Sequence, residues 1–145
     1  MILPDVNLLI YAYDEDSSFY ASAAAWLTGA METEQVFLSW HTITGFIRIL
    51  THPSASKNPF SIEEAISVVN EWLARENVHL IGLEKKNWPL FSKMLIEGQA
   101  TGNLVMDAHL AAMAASCGAT LATTDRDFSR FPAVRLTNPL KPGAE

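Results

Sequence analysis

The chain has 145 residues, with 10 Lys+Arg against 16 Asp+Glu for a formal net charge of −6. Its length fits a single domain over residues 1–145, and 49% apolar with 18% charged residues supplies a real core and excludes a disordered chain. The acidic balance disfavours duplex binding through a broad Lys/Arg surface, and the single Cys117 excludes an intramolecular disulfide or a multi-thiolate zinc site.

Ile2-Leu3 reads as a strand cut short at Pro4-Asp5. The amino-terminal residues have no basic stretch ahead of the apolar ones and carry Asp5 among them, unlike a signal peptide. No apolar run reaches the roughly 18–20 residues that span a bilayer, so the expectation is a cytoplasmic protein with no membrane segment. Asn7 to Tyr13 is a short apolar segment that runs into Asp14-Glu15-Asp16. Ser17 or Ser18 can cap a helix to about Ala30, with Tyr20, Ala23, Ala24, Leu27 and Met31 on one face. Val36 to Trp40 is a second strand by β-branched and aromatic content. Ile43, Phe46, Ile47 and Leu50 follow at helical spacing until His52-Pro53 stops the run.

Pro53 to Pro59 is loop by composition, and Ser61 with Glu64 forms a capping box for a helix to Arg75. Val78 to Leu83 is a third strand. A helix around Trp88 to Ile96 tolerates Pro89 only in its first turn. Leu104 to Cys117 is a helix rich in small residues, ended by Gly118. Ala119 to Thr123 and Val134 to Thr137 complete the strands. Strands alternating with helices predict an α/β domain with a mainly parallel sheet of about five strands.

Asp5 and Asp125 each stand directly after an apolar strand, so a parallel sheet turns both toward the crevice at its carboxyl edge. Asp107 lies in the first turns of the small-residue helix, whose Ala108, Ala111, Ala112 and Ala115 let it approach that edge. Asp127, two residues past Asp125, can reach the cluster from its loop. Carboxylates gathered this way repel unless a counterion joins them, and Mg²⁺ or Mn²⁺ accepts such oxygen ligands and supports phosphodiester hydrolysis. Each aspartate alone can equally cap a turn or a helix.

Three blocks carry a family resemblance: Asp5-Val6-Asn7; Gly102 to Ala112 around Asp107; and Ala119 to Phe128 around Asp125 and Asp127. They resemble the acidic blocks of PIN-domain ribonucleases, and more narrowly VapC-type toxins of toxin–antitoxin pairs. Trp40 to Pro53 and Phe131 to Leu140 resemble one branch of that family. The resemblance implies a three-layer α/β/α PIN-like domain acting as a Mg²⁺- or Mn²⁺-dependent endoribonuclease, with an RNA substrate, a VapB-type antitoxin and a homodimeric state. It assigns Asp5 and Asp107 to the metal, and Asp125 to the third acid, acting directly or through water. Asp127 is a weaker ligand beside them.

One departure stands out. The family's usual Glu on the helix after the second strand aligns with Gly45, and no Asp or Glu occurs between Glu34 and Glu63. The alternative reading is therefore a degenerate PIN module that binds RNA or an antitoxin with weak or no cleavage. Arg48, Asn7 and Thr124 are candidate substrate-binding residues: Arg48 for phosphate or an aspartate, Asn7 for holding Asp5 or capping a helix, Thr124 with Thr123 for orienting water or phosphate. An aspartyl-phosphate enzyme resembling haloacid dehalogenases fits less well, because the second Asp of that motif is Asn7 and no Lys ends a later strand. His41, His52, His79 and His109 form no metal or triad pattern, and core packing is the default for Trp26, Trp40, Trp72 and Trp88. The helix from Ser61 to Arg75 offers Ile62, Ala65, Ile66, Val69 and Leu73 as a core face or a dimer face.

Overall fold

The computed structural model describes residues 1–55 and 57–140, so Ser56 of the expected loop and the last five residues of the chain lie outside the described residues. Five strands form one all-parallel sheet: β1 (Ile2–Pro4), β2 (Val36–Ser39), β3 (Val78–Ile81), β4 (Thr120–Ala122) and β5 (Arg135–Thr137), in the order β3-β2-β1-β4-β5. Side chains alternate across it, as the two-residue period of a strand requires. Ile2, Val36, Leu38 and Ala122 enter one apolar cluster, while Leu3 and Leu121 enter the other. Helices cover both faces, which gives the three-layer α/β/α architecture.

The first layer holds α1 (Val6–Tyr13), α2 (Tyr20–Thr33), α3 (Trp40–Leu50) and α4 (Ile62–Leu73). Asn7 to Tyr13, read from sequence only as an apolar segment, is most of α1. It buries Leu8, Leu9 and Ala12, three positions on one helical face that a strand-length apolar run does not reveal. α2 starts one or two residues later than the serines suggest: Ser17 Oγ accepts from the Phe19 amide at 3.1 Å, and Phe19 is the N-cap. Trp40 belongs to α3, because Ser39 ends the strand and caps the helix by accepting from the Thr42 amide. Tyr13, Phe46 and Trp72 tie α1, α3 and α4 together, with ring centroids 4.6–5.8 Å apart and the Trp72 indole donating to the Tyr13 hydroxyl at 3.1 Å. Of the tryptophans assigned to the core by default, Trp72 is buried; Trp40 and Trp88 are 61% and 59% exposed.

The second layer holds α5 (Trp88–Glu97) and α6 (Leu104–Cys117). α6 is apolar around most of its circumference, and buried Ala108, Ala111, Ala112 and Ala114 let its backbone lie close to the sheet. Gly118 ends it in the left-handed region at φ 70°, where a side chain would be strained. The capping box of Ser61 and Glu64 is present at the start of α4.

Pro4 shortens the central strand. Ile2 donates to Gln35 O on the β2 side and Asp5 to Ala122 O on the β4 side. By alternation the Pro4 nitrogen faces β2, where it has no proton to give. β1 accordingly pairs with β2 at Ile2 alone and with β4 at three positions.

Gly98, after α5, sits under the Phe131 ring. A Cβ built there would lie 2.4 Å from Phe131 Cε1 and 3.0 Å from the Met94 carbonyl oxygen, and the Gly98 carbonyl also accepts from Arg130. Gly98→Ala is expected to lower the unfolding free energy by about 1–3 kcal/mol through overpacking. A urea titration reads this as a lower midpoint, and an unchanged midpoint would show that Phe131 moves aside freely.

Candidate active site

The winding of the sheet reverses between β1 and β4, so the residues after these two strands enter one crevice. Asp5 follows β1 and is the N-cap residue of α1, yet its side chain makes no capping bond. It is 9% exposed. Thr123, at the end of β4 and itself buried, meets it: its hydroxyl donates to Asp5 Oδ2 at 2.9 Å and accepts from the Asp125 amide at 3.0 Å.

Asp125 Oδ1 accepts from the Asp127 amide at 2.8 Å, a local turn that opens the 3-10 turn Arg126–Arg130. That turn curls Asp127 back toward Asp125. From the other side α6 brings Asp107 in its first turn, where a negative charge also meets the positive end of the helix dipole. Asp107, Asp125 and Asp127 each present a carboxylate oxygen, and the three lie within 4.8 Å of one another. Asp5 lies outside this trio but near enough for its charge to act on Asp107. The structure thus groups the residue ranked last in sequence, Asp127, more tightly than Asp5.

Electrostatics follow from this crowding. Burial first, then the charges of Asp125, Asp5 and Asp127, push the Asp107 carboxyl up to about 6, and Arg130 opposes the rise. Burial also raises Asp5, with Asp125 adding to the effect, while the Thr123 hydrogen bond and the first amides of α1 pull it down. A hard divalent cation suits such a set, because every donor is a carboxylate oxygen and their mutual repulsion is what the ion would relieve.

Other predicted residues stand elsewhere. Asn7 is exposed in the first turn of α1, and neither caps that helix nor bonds to the Asp5 side chain. Arg48 is exposed in the last turn of α3 and joins none of the ion pairs found among the described residues. Thr124 is half-buried beside a cavity next to Asp125. A Cβ at Gly45 would meet Val6 Cγ2 at 3.5 Å, an ordinary contact one residue from Asp5, so this position does adjoin the crevice. His109 is packed between Phe91 and His41, with ring centroids 5.6 and 6.1 Å away, and its Nδ1 is buried without a partner. Burial, then His41, lowers its pKa.

Thr123, read from sequence only as a residue that orients water or phosphate, and Arg130, to which the sequence assigned nothing, take roles that the geometry reveals. Thr123 is the link between Asp5 and Asp125, signalled only by a strand-end threonine two places before an aspartate. Arg130 is the cation beside Asp107. Its guanidinium donates to Gly98 O at 2.8 Å while its Nε is buried without a partner.

A parallel α/β/α domain with carboxylates gathered where its winding reverses is the architecture of a PIN domain, and the PIN domain family profile matches residues 2–134. The chain belongs to the PIN-domain family. It is 33% identical over 140 residues to Ribonuclease VapC37 of Mycobacterium tuberculosis, covering 96% of this chain and 97% of the relative. Among solved structures, VapBC2 from Rickettsia felis bound to a promoter DNA fragment superposes with a TM-score of 0.69 at 22% identity, covering 95% of this chain and 98% of that one. A toxin–antitoxin complex from Klebsiella pneumoniae gives 0.65 at 16% identity, with 96% and 98% covered. At these identities the two structures speak for the fold.

The raised Asp107 pKa sets a pH dependence. As pH rises from about 4 to 6, the unfolded chain gives up this proton before the folded chain does, so stability falls across that window. Asp107→Asn removes the fall. The variant, without added metal, is expected to be more stable than the parent at pH 7 by about 1 kcal/mol, allowing for solvent screening. The two should converge below about pH 4; equal melting temperatures at pH 7 would show that the carboxylates are not in conflict.

Proposed function

We propose that this chain, acting as a single domain, is a Mg²⁺- or Mn²⁺-dependent endoribonuclease and the toxin of a cytoplasmic toxin–antitoxin pair. The observation that carries the reading is the trio Asp107, Asp125 and Asp127, with oxygens within 4.8 Å of one another and Asp5 buried behind it. Relatives named as ribonucleases support cleavage of RNA over a module that only binds, and complexes of the same fold support a VapB-type antitoxin as partner. Among the described residues no helix is long and apolar enough to cross a membrane.

Bound at the carboxylates, a divalent cation would supply charge neutralisation for in-line displacement at phosphorus. The side chains do the rest. Asp107 and Asp125 would hold the ion, Asp127 would close the set from its turn, and Asp5 would add charge from a position that the Thr123 hydroxyl supports. Because burial and its acidic neighbours push the Asp107 carboxyl up to about 6, a cation would compete with a proton for it, and loading would strengthen as pH rises through that value.

A homodimer completes the reading. The face of α4 named from sequence divides in two: Ala65 and Val69 turn into the core, while Ile62, Ile66 and Leu73 are 48%, 46% and 40% exposed. The exposed three form an aliphatic stripe suited to a second copy. Light scattering that finds only monomer at tens of micromolar would remove this part of the proposal.

Cleavage of a mixture of structured RNAs is expected with Mn²⁺ or Mg²⁺, and none with EDTA. Asp5→Asn and Asp107→Asn are each expected to lower the rate at least a hundredfold, on the order of the loss when a transition-state charge partner is removed. Cleavage that survives EDTA or both substitutions refutes the metal site; metal binding without cleavage supports the binding-only module.

The departure at Gly45 has its own test. Gly45→Glu fits at the Cβ beside Val6 and adds a carboxylate to the crevice. It is expected to tighten Mn²⁺ binding roughly tenfold by calorimetry, within the range over which supporting carboxylates act on metal sites. Unchanged affinity would mean that the α3 side of the crevice does not take part.

A further inference from the structure

Beside the carboxylates, on the side of the sheet edge formed by β4 and β5, lies a cavity of about 620 Å³. Its size falls within the roughly 300–1,000 Å³ of small-ligand sites, enough for a base with its ribose and too small for a duplex. Asp125 and Thr123 form part of its wall. An occupant is therefore in contact with the residues that hold the acidic site together.

The chemistry of the wall is specific. Phe19, at the start of α2, is 45% exposed, with its ring tilted against Tyr11 at a centroid distance of 5.0 Å. Leu136 of β5, 38% exposed, adds a second apolar surface. Arg126 is the one cation among the described lining residues, a partner for phosphate in a chain that is acidic overall. Asn138 Oδ1 accepts from the Leu140 amide at 3.1 Å, which fixes the orientation of the side chain and leaves its NH₂ as a donor. An aromatic face, a fixed polar donor and a cation are the means by which proteins take up single-stranded bases.

We propose that this cavity receives one unpaired base of the RNA next to the bond that is cut, with Phe19 as its stacking surface and Asn138 reading its edge. The proposal rests on the nuclease reading above and assigns that reading a specificity pocket. Arg126 meets the phosphate that leads from this base toward Asp125. Base preference then resides at one position beside the cut, on the β4–β5 side of the crevice.

The test uses the full chain with Mn²⁺ and a pool of single-stranded RNAs with randomised bases, sequenced for cut sites. The parent is expected to show a base preference at one position within two nucleotides of the cut. Phe19→Ala should flatten that preference and lower kcat/KM roughly tenfold to a hundredfold, the scale of one lost base stack, while the Mn²⁺ affinity measured without RNA stays unchanged. Asn138→Asp, which replaces the donor by an acceptor, should change which base is favoured at the same position. A preference left intact by both variants overturns the proposal. If the parent cuts no RNA at all, the nuclease reading fails separately, and the pocket is tested by binding. Fluorescence anisotropy with five-nucleotide unpaired RNAs on Asp107→Asn protein should then show at least tenfold weaker binding when Phe19→Ala is added; equal binding, or equal affinity for a duplex, overturns it.

Discussion

A carboxylate buried without a compensating charge must be met by hydrogen bonds or give up its ionisation, and Asp5 is such a group. Thr123 is what meets it. One hydroxyl donates its proton to Asp5 and accepts the amide proton of Asp125, so a neutral side chain joins two acidic residues that would otherwise only repel. Both ends of the link stand at neighbouring strand ends of the central pair. The geometry of the crevice is thus set by the register of β1 on β4, and not by flexible loops.

That arrangement draws on features beyond the acids themselves. Pro4 has no amide to give to β2, which ends pairing on that side and frees the chain to turn into α1 immediately after Asp5. On the other face, the alanines of α6 bring its amino-terminal turn close to the sheet, and with it Asp107. Gly98, lying against Phe131, fixes the carbonyl that holds Arg130. Among the described residues, Arg130 is the positive charge that eases Asp107. Packing in the second layer and charge balance in the crevice are therefore parts of one arrangement.

How much of this was legible in the sequence depends on the range of the interaction. The capping box at Ser61 and Glu64, the glycine stop at Gly118 and the helical stripe of Ile43, Phe46 and Leu50 are local, and each stands where the sequence put it. The order of strands and helices carried the parallel sheet, and the parallel sheet carried Asp5 and Asp125 to one edge. Apolar runs of strand length do not declare their period, so α1 was not distinguished from an extended segment. The sequence let Asp127 reach the cluster from its loop, but not that it would join the tightest trio, which depends on a single hydrogen bond at the start of a 3-10 turn. Arg130 and Gly98 are 32 residues apart, and no spacing rule links them.

Gly45 and Asp127 together decide where the carboxylates of this crevice lie. With glycine at 45 the α3 side of the crevice contributes no acid, and the compact trio forms on the α6 and β4 side, with Asp127 as its third member. The repulsion that raises Asp107 comes from Asp125, Asp5 and Asp127; an additional carboxylate at 45 would increase it in the absence of a cation. Glycine therefore lowers the cost of the metal-free fold. Setting these four aspartates aside brings the acids of the chain close in number to its bases. The excess negative charge that first argued against a nucleic-acid partner is mostly the charge of this crevice, and a divalent cation held there would reverse its effect on an approaching phosphate.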